Sequence, residues 1–238
     1  MSIARYISKL GALLNSNGQV LTGGVADGNI TTVKIGDDAV TNAKRTQGIQ
    51  VFTSSGTFTV PAGVSKVKVT VTGAGGSGGA YNTSNGGFGG GGGATAIKYI
   101  SGLAAGGTVA VTVGTGGAGV TGIANGNAGG TSSFGSYCSA TGGAGGANNG
   151  AVAPASGGTA TGGDINLSGG VGGANSQSAY NIAGHGGASF WGGADAGGGG
   201  GSNGPNNGNI AGSTYGAGSA GGWGVSAAGF NGIVVVEY

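Results

Sequence analysis

The sequence predicts a mainly β protein in which a bundle of packed glycine helices is bordered by antiparallel β-strands, with one short helix at the N-terminus. Three observations lead there. Glycine supplies 66 of the 238 residues, yet 37% of the chain is hydrophobic and only 6% is charged, which is not the composition of a flexible linker. The glycines fall in irregular clusters and not in strict triplets, which excludes a collagen triple helix. Stretches of period-two alternation flank the clusters, the pattern of half-buried strands. The alternative reading is a β-sandwich carrying long Gly-rich loops.

Residues 1–25 are expected to form a helix and attachment segment. "MSIARYISKLGALL" places Ile3, Ile7, Leu10, Leu13 and Leu14 on one helical face, and "NSNG" ends it. Arg5 and Lys9 interrupt the hydrophobic core that a signal peptide would need, so no export signal is expected here. A helix this short is marginal alone, so its apolar stripe needs a partner surface, in this chain or another.

Residues 26–49 contain a repeat of period ten. "ADGNITTVKI" and "GDDAVTNAKR" align Asp27 with Asp37, Ile30 with Val40, Thr31 with Thr41 and Lys34 with Lys44. Two such units bury almost nothing within one chain. Ile30, Val33, Ile35 and Val40 are therefore the candidate oligomerisation residues, buried when several chains run in parallel. The pattern resembles the connector segments of bacteriophage tail fibre proteins. That resemblance implies a homotrimer and contacts with other tail or baseplate proteins through residues 1–49.

Residues 50–238 read as one domain. Phe52, Phe58 and Val60 precede a turn at "PAG", and Val67, Val69 and Val71 then alternate with Lys66, Lys68, Thr70 and Thr72. "ATAIKYI", "TVAVTV" and "TSSFGSYCSATGG" supply further strands, and "NGIVVVEY" gives a turn and a buried strand that is expected to pair with the first. Between them recur "GAGGSGG", "GGFGGGGG", "GTGGAG", "GGAGG", "GGVGG" and "GAGSAGG". Extended three-residue-per-turn segments make no internal hydrogen bonds, so their amides must bond to neighbouring segments, and glycine allows that approach.

Four connections differ from the clusters: "AYNTSN", "ANNGAVAPAS", "ANSQSAYNIA" and "SNGPNNGNIAGSTY" are rich in Asn, Ser and Tyr. Such side chains combine rigid contact area with adaptable hydrogen bonding. Tyr81, Asn82, Asn85, Asn148, Asn149, Gln177, Tyr180, Asn206, Asn207 and Tyr215 are the candidate receptor-binding residues at loop tips. In architecture this region resembles the distal adhesins of T-even-like phage tail fibres. That resemblance implies a polyglycine-II sandwich presenting receptor-binding loops to a bacterial surface protein or glycan, on a virion assembled in the host cytoplasm. A purely structural spacer or decoration protein of the virion is the alternative.

Chemistry is expected to be absent. No catalytic residue, cofactor or metal site is assigned, because the titratable groups do not converge. From Tyr99 onward there is no Lys or Arg, and only Asp164, Asp195, Glu237 and His185 are titratable acids or imidazole. His185 stands alone and is a poor metal ligand. Asp164 and Asp195 lack any spacing that favours a glycosidase pair. A formal charge of +2 leaves no nucleic-acid footprint. Cys138, the single cysteine, reads as a small hydrophobe in a strand. Phe88, Phe190, Trp191, Trp223 and Phe230 read as plugs against exposed backbone, with the indole N–H groups on carbonyls.

Overall fold

The computed structural model describes residues 47–81, 86–148, 154–175, 182–193 and 214–238. They belong to one compact unit, Gln47–Tyr238. The expected N-terminal helix and ten-residue repeats, with Ile30, Val33, Ile35 and Val40, lie outside the described residues.

Among the described residues the structure is all β and glycine-rich backbone, with no helix. The strands are β1 (Ile49–Phe52), β2 (Gly56–Thr59), β3 (Lys66–Thr72), β4 (Ala80–Tyr81), β5 (Thr95–Ser101), β6 (Thr108–Thr112), β7 (Ser132–Phe134), β8 (Cys138–Ala140), β9 (Ala160–Thr161), β10 (Ile165–Leu167), β11 (Gly222–Trp223) and β12 (Ile233–Glu237). Two five-stranded antiparallel sheets, ordered β1-β12-β3-β5-β10 and β2-β6-β7-β8-β9, face each other. Their inner faces hold Phe58, Val67, Val69, Val71, Val111, Phe134, Cys138, Val234 and Val236 in one buried core. The Phe58 and Phe134 rings meet at 5.7 Å. Each buried valine contributes roughly 1.5–3 kcal/mol relative to exposure, so the period-two alternation read in β3 fixes which face turns inward. The first and last strands do pair: β12 lies between β1 and β3, with Gln50 opposite Val236 and Val71 opposite Val234.

Beyond Thr72 the side chains almost vanish and the hydrogen bonding changes period. In a pleated sheet the amides bond within the plane, and side chains hold facing sheets about 10 Å apart. Here the N–H groups of Gly73, Gly76 and Gly79 donate to the carbonyls of Ala94, Gly91 and Phe88, while those of Ala74, Ser77 and Ala80 donate to Gly130, Asn127 and Ala124. Gly75 turns to a third neighbour, Phe230. The next segment repeats the rule. Gly87, Gly90 and Gly93 donate to Gly222, Ser219 and Gly216; Phe88, Gly91 and Ala94 donate to Ala147, Ala144 and Thr141; Gly89 and Gly92 donate to Gly173 and Gly170. Each segment therefore contacts a different neighbour at successive residues and returns to the first every third residue.

Two layers that side chains separate in the sandwich thus join directly. Gly143 and Gly146, following β8 of one sheet, donate to Ala74 and Ser77, following β3 of the other. A third layer is added by residues 184–188 and 216–222: Gly184 and Gly187 donate to Gly87 and Gly90, and Ser219 and Gly222 donate to Gly76 and Gly79. The core of this half is backbone, and each bond contributes about 1 kcal/mol net.

Serines complete the lattice where carbonyls do not reach. The buried Ser219 hydroxyl accepts from the Gly78 N–H at 2.8 Å and donates to the Ala227 carbonyl at 2.6 Å. Ser77 Oγ accepts from Asn127 N–H, and Ser132 Oγ from Gly114 N–H. Replacing Ser219 by alanine strands a buried donor and a buried acceptor, so Ser219→Ala is expected to cost about 2–3 kcal/mol in equilibrium unfolding by urea.

Cys138 sits in β8, buried opposite Phe134. Burial pushes its thiol up to about 11, so the thiolate is scarce at neutral pH. The native protein is expected to leave Cys138 unmodified by an aromatic disulfide reagent at pH 8, with full reaction once the chain is unfolded in guanidinium.

Candidate recognition surface

The glycine segments run outward from the sandwich, and their far ends form a tip. The chain leaves that end at Tyr81 and returns at Gly86; it leaves at Asn148 and returns at 154, and leaves at Asn175 and returns at Ile182. Two further turns, 120–124 and 222–226, complete the tip within the described residues.

Backbone pairing holds Tyr81 in place. Tyr81 lies beside Trp223 in the parallel β4–β11 pair, its carbonyl accepts from Gly224 N–H, and Ala80 bridges Ala124 in both directions. Gly122 and Gly224 take φ of 74° and 67°, left-handed values that a side chain resists. They let the two turns cross, with Gly122 N–H on the Gly224 carbonyl and Thr121 opposite Val225. Amide side chains pin the rest: Asn125 Oδ1 accepts from Asn148 N–H at 2.9 Å, and Asn175 Nδ2 donates to the Gly86 carbonyl at 2.6 Å. Ile123, at 63% exposure, Ile182 and Val225 project apolar side chains from this framework.

Electrostatically the tip is blank. The stretches 80–86, 120–127, 147–155, 173–184 and 222–226 contain no Asp, Glu, Lys or Arg. His185, one residue beyond, directs Nδ1 at the Gly186 carbonyl, 3.0 Å away. The described charges sit instead on the sandwich, where Lys68 pairs with Glu237 at 2.8 Å and Lys98 lies 3.9 Å from Asp164. Among the described residues no three His, Cys, Asp or Glu side chains converge as a metal site.

The structure brings together some of the expected recognition residues and separates others. Tyr81 and Asn148 share the tip. Tyr215 lies at the sandwich end: its carbonyl accepts from Ser189 Oγ, its ring packs edge-on against Phe230 at 5.4 Å, and the next residue, Gly216, accepts from Gly93. Seven extended residues, roughly 20 Å, separate the two ends. The chain also leaves at Gly193 and returns at Thr214 on that sandwich side, where Trp191 Nε1 donates to the Thr72 hydroxyl. Asn82, Asn85, Asn149, Gln177, Tyr180, Asn206 and Asn207 lie outside the described residues. Of the five large aromatics read as plugs, Phe88 and Trp223 are buried, whereas Phe190, Trp191 and Phe230 are exposed, and the Trp191 indole meets a hydroxyl where a carbonyl was expected.

Sequence reading missed the turns 120–124 and 222–226. They lack the Asn/Ser/Tyr composition of the others; their signal is a lone apolar residue beside a turn glycine, as in "TGIA" and "WGVS".

A family model described as a glycine-rich domain matches residues 53–238. The chain belongs to this glycine-rich domain family. The match begins just after β1 and covers the other eleven described strands and the described glycine lattice, so the family's span and the folded unit nearly coincide. No curated protein matches the chain.

Proposed function

We propose that this glycine-rich domain protein is a non-enzymatic receptor-binding protein of a bacteriophage tail fibre, recognising a protein or glycan on the bacterial surface through its tip. The observation that carries the reading is polarity. Gly48 pairs with Tyr238 at the base of the sandwich, and β12 then runs from its Glu237 end at that base to Ile233 beside the lattice. The chain therefore enters the domain at the end opposite the tip, the arrangement an adhesin needs if residues 1–49 attach it to other virion tail or baseplate proteins.

The lattice is read here as a polyglycine-II bundle. Return of the hydrogen bonds to the same neighbour every third residue supports it, since three residues per turn is the repeat of that helix. A homotrimer held by the ten-residue repeats would multiply weak tip contacts through avidity. The neutral tip supports recognition by shape, apolar contact and amide hydrogen bonds. A spacer or decoration role has one supporting observation, that Asn125 and Asn175 spend their amides on the protein's own backbone.

Labelled full-length protein applied to a panel of bacterial strains separates the two. Strain-selective binding that protease treatment or loss of surface glycan abolishes is the expected result, and the treatment that works names the receptor class. An oligomeric sample that binds no strain would leave the spacer.

A further inference from the structure

Strand β1 is an edge of its sheet, and no described strand covers its outer side. Gly48 and Tyr238 exchange both backbone hydrogen bonds, N–H to carbonyl in each direction. In an antiparallel pair such exchanges recur at every second residue. Gln50–Val236 and Phe52–Val234 are the next two, which leaves the N–H and C=O groups of Ile49 and Val51 turned to the open edge. The same two residues carry exposed side chains, at 65% and 50%.

Edges of this kind are normally guarded by lysine, proline, a bulge or a covering segment. "IQVF" has neither charge nor proline. The sheet's opposite edge, β10, differs: Asn166 bonds back to Gly163 through both its amide atoms, and the Lys98–Asp164 pair flanks it. The β2 edge exposes only threonines, Thr57 and Thr59, beside Gly56. Across the ladder from β1, the Glu237 side chain, opposite Ile49, is paired with Lys68 at 2.8 Å.

We infer that the β1 edge, with Ile49 and Val51, is a contact between copies of this chain. The occupant follows from what leads into the strand. Met1–Thr46 ends just before Gln47 and carries two ten-residue units with too few apolar residues to form a core within one chain. Ile49 follows those units by only a few residues of sequence, so copies associating through them would hold their β1 edges at raised local concentration. An uncharged edge offering both donors and acceptors is complementary to the same edge of one other copy, a two-fold pairing separate from the homotrimer proposed through the repeats, whereas a partner of fixed charge finds nothing to pair with. The receptor reading is independent of this contact, because it concerns the opposite end of the domain.

Sedimentation of the full chain over a range of concentrations tests it, comparing wild type with I49K/V51K, with V51P and with T57K on the β2 edge as control. Both side chains are exposed, so the lysines leave the sandwich core untouched, and V51P removes only an outward N–H. The expected result is an oligomeric wild type and T57K, with the dissociation constant raised about tenfold or more in I49K/V51K and V51P while their circular dichroism stays that of wild type. A wild type that is monomeric throughout, or variants that sediment as wild type does, would overturn the inference. Loss of assembly on substituting Ile30 and Val40 alone, with no effect of either β1 variant, would overturn it too and place the contact wholly in the repeats.

Discussion

Gly90→Ala is expected to unfold the glycine-rich lattice. Gly90 sits in the middle segment, where its N–H donates to Ser219 and its carbonyl accepts from Gly187. A methyl group there would lie against the carbonyl carbon and oxygen of Gly76, well inside van der Waals contact, and those are backbone atoms that cannot rotate away. Gly76 is itself held by Gly91, so the displacement passes to a second segment. Overpacking in a side-chain core typically costs 1–3 kcal/mol because side chains can rearrange; here nothing but backbone is available, and a loss of about 3 kcal/mol or more is expected. The check is urea unfolding of Gly90→Ala beside Gly193→Ala. Among the described residues an added methyl at Gly193 meets nothing within 4 Å, so that variant should match wild type within about 0.5 kcal/mol.

Removing residues 233–238 is expected to abolish the fold of the whole unit. β12 is a central strand, hydrogen-bonded to β1 on one side and β3 on the other, and Val234 and Val236 are fully buried. Its loss deletes two core valines, detaches β1, and uncovers Phe58, whose ring also packs on Tyr238 at 6.0 Å. Each large core deletion costs roughly 2–5 kcal/mol, so the two valines alone cost an amount comparable to the 5–15 kcal/mol stability of an ordinary domain, and the loss of the ladders to β1 and β3 adds to it. The truncated chain should lack the β signal in circular dichroism and be digested by protease at a rate typical of an unfolded chain. Supplying the missing hexapeptide in trans should not restore it, because strand and lattice close together: Gly232 N–H donates to Gly114 just before β12 begins.

The strands were legible because their side chains obey a local rule. Val67, Val69 and Val71 alternate, and Ile233 to Val236 form an unbroken apolar run, so their faces and burial follow from spacing alone. That glycine clusters approach one another was also legible, since Gly73 to Gly79 offers almost nothing to hold a neighbour off. Which neighbour was not. Gly75 bonds to Phe230 and Gly90 to Ser219, pairs more than a hundred residues apart that no local pattern encodes. The same limit explains the recognition residues. Tyr81 and Tyr215 sit in segments of similar composition, and only the path of the chain after Ala188, which turns back at the sandwich and not at the tip, sends them to opposite ends. Ile123 and Val225 escaped notice because two tight turns, each needing only one left-handed glycine, are too short to carry a compositional signature. The serine bridges are a further case: Ser219 reads as one more small residue until the distances to Gly78 and Ala227 give it two partners.

That the uncharged tip is what the protein presents to a cell is the proposal on which the functional reading depends. It is tested most directly by measuring the binding of full-length protein to a strain that binds wild type, for a chain in which Tyr81, Ile123 and Val225 are all serine and for Phe190→Ser at the sandwich end. A few central aromatic and apolar side chains usually dominate an interface, so the tip variant should bind at least tenfold more weakly, with its unfolding midpoint and oligomeric mass unchanged, while Phe190→Ser binds as wild type does. Undiminished binding by the folded tip variant, or a loss confined to Phe190→Ser, would contradict the claim and move recognition to the aromatic side of the sandwich.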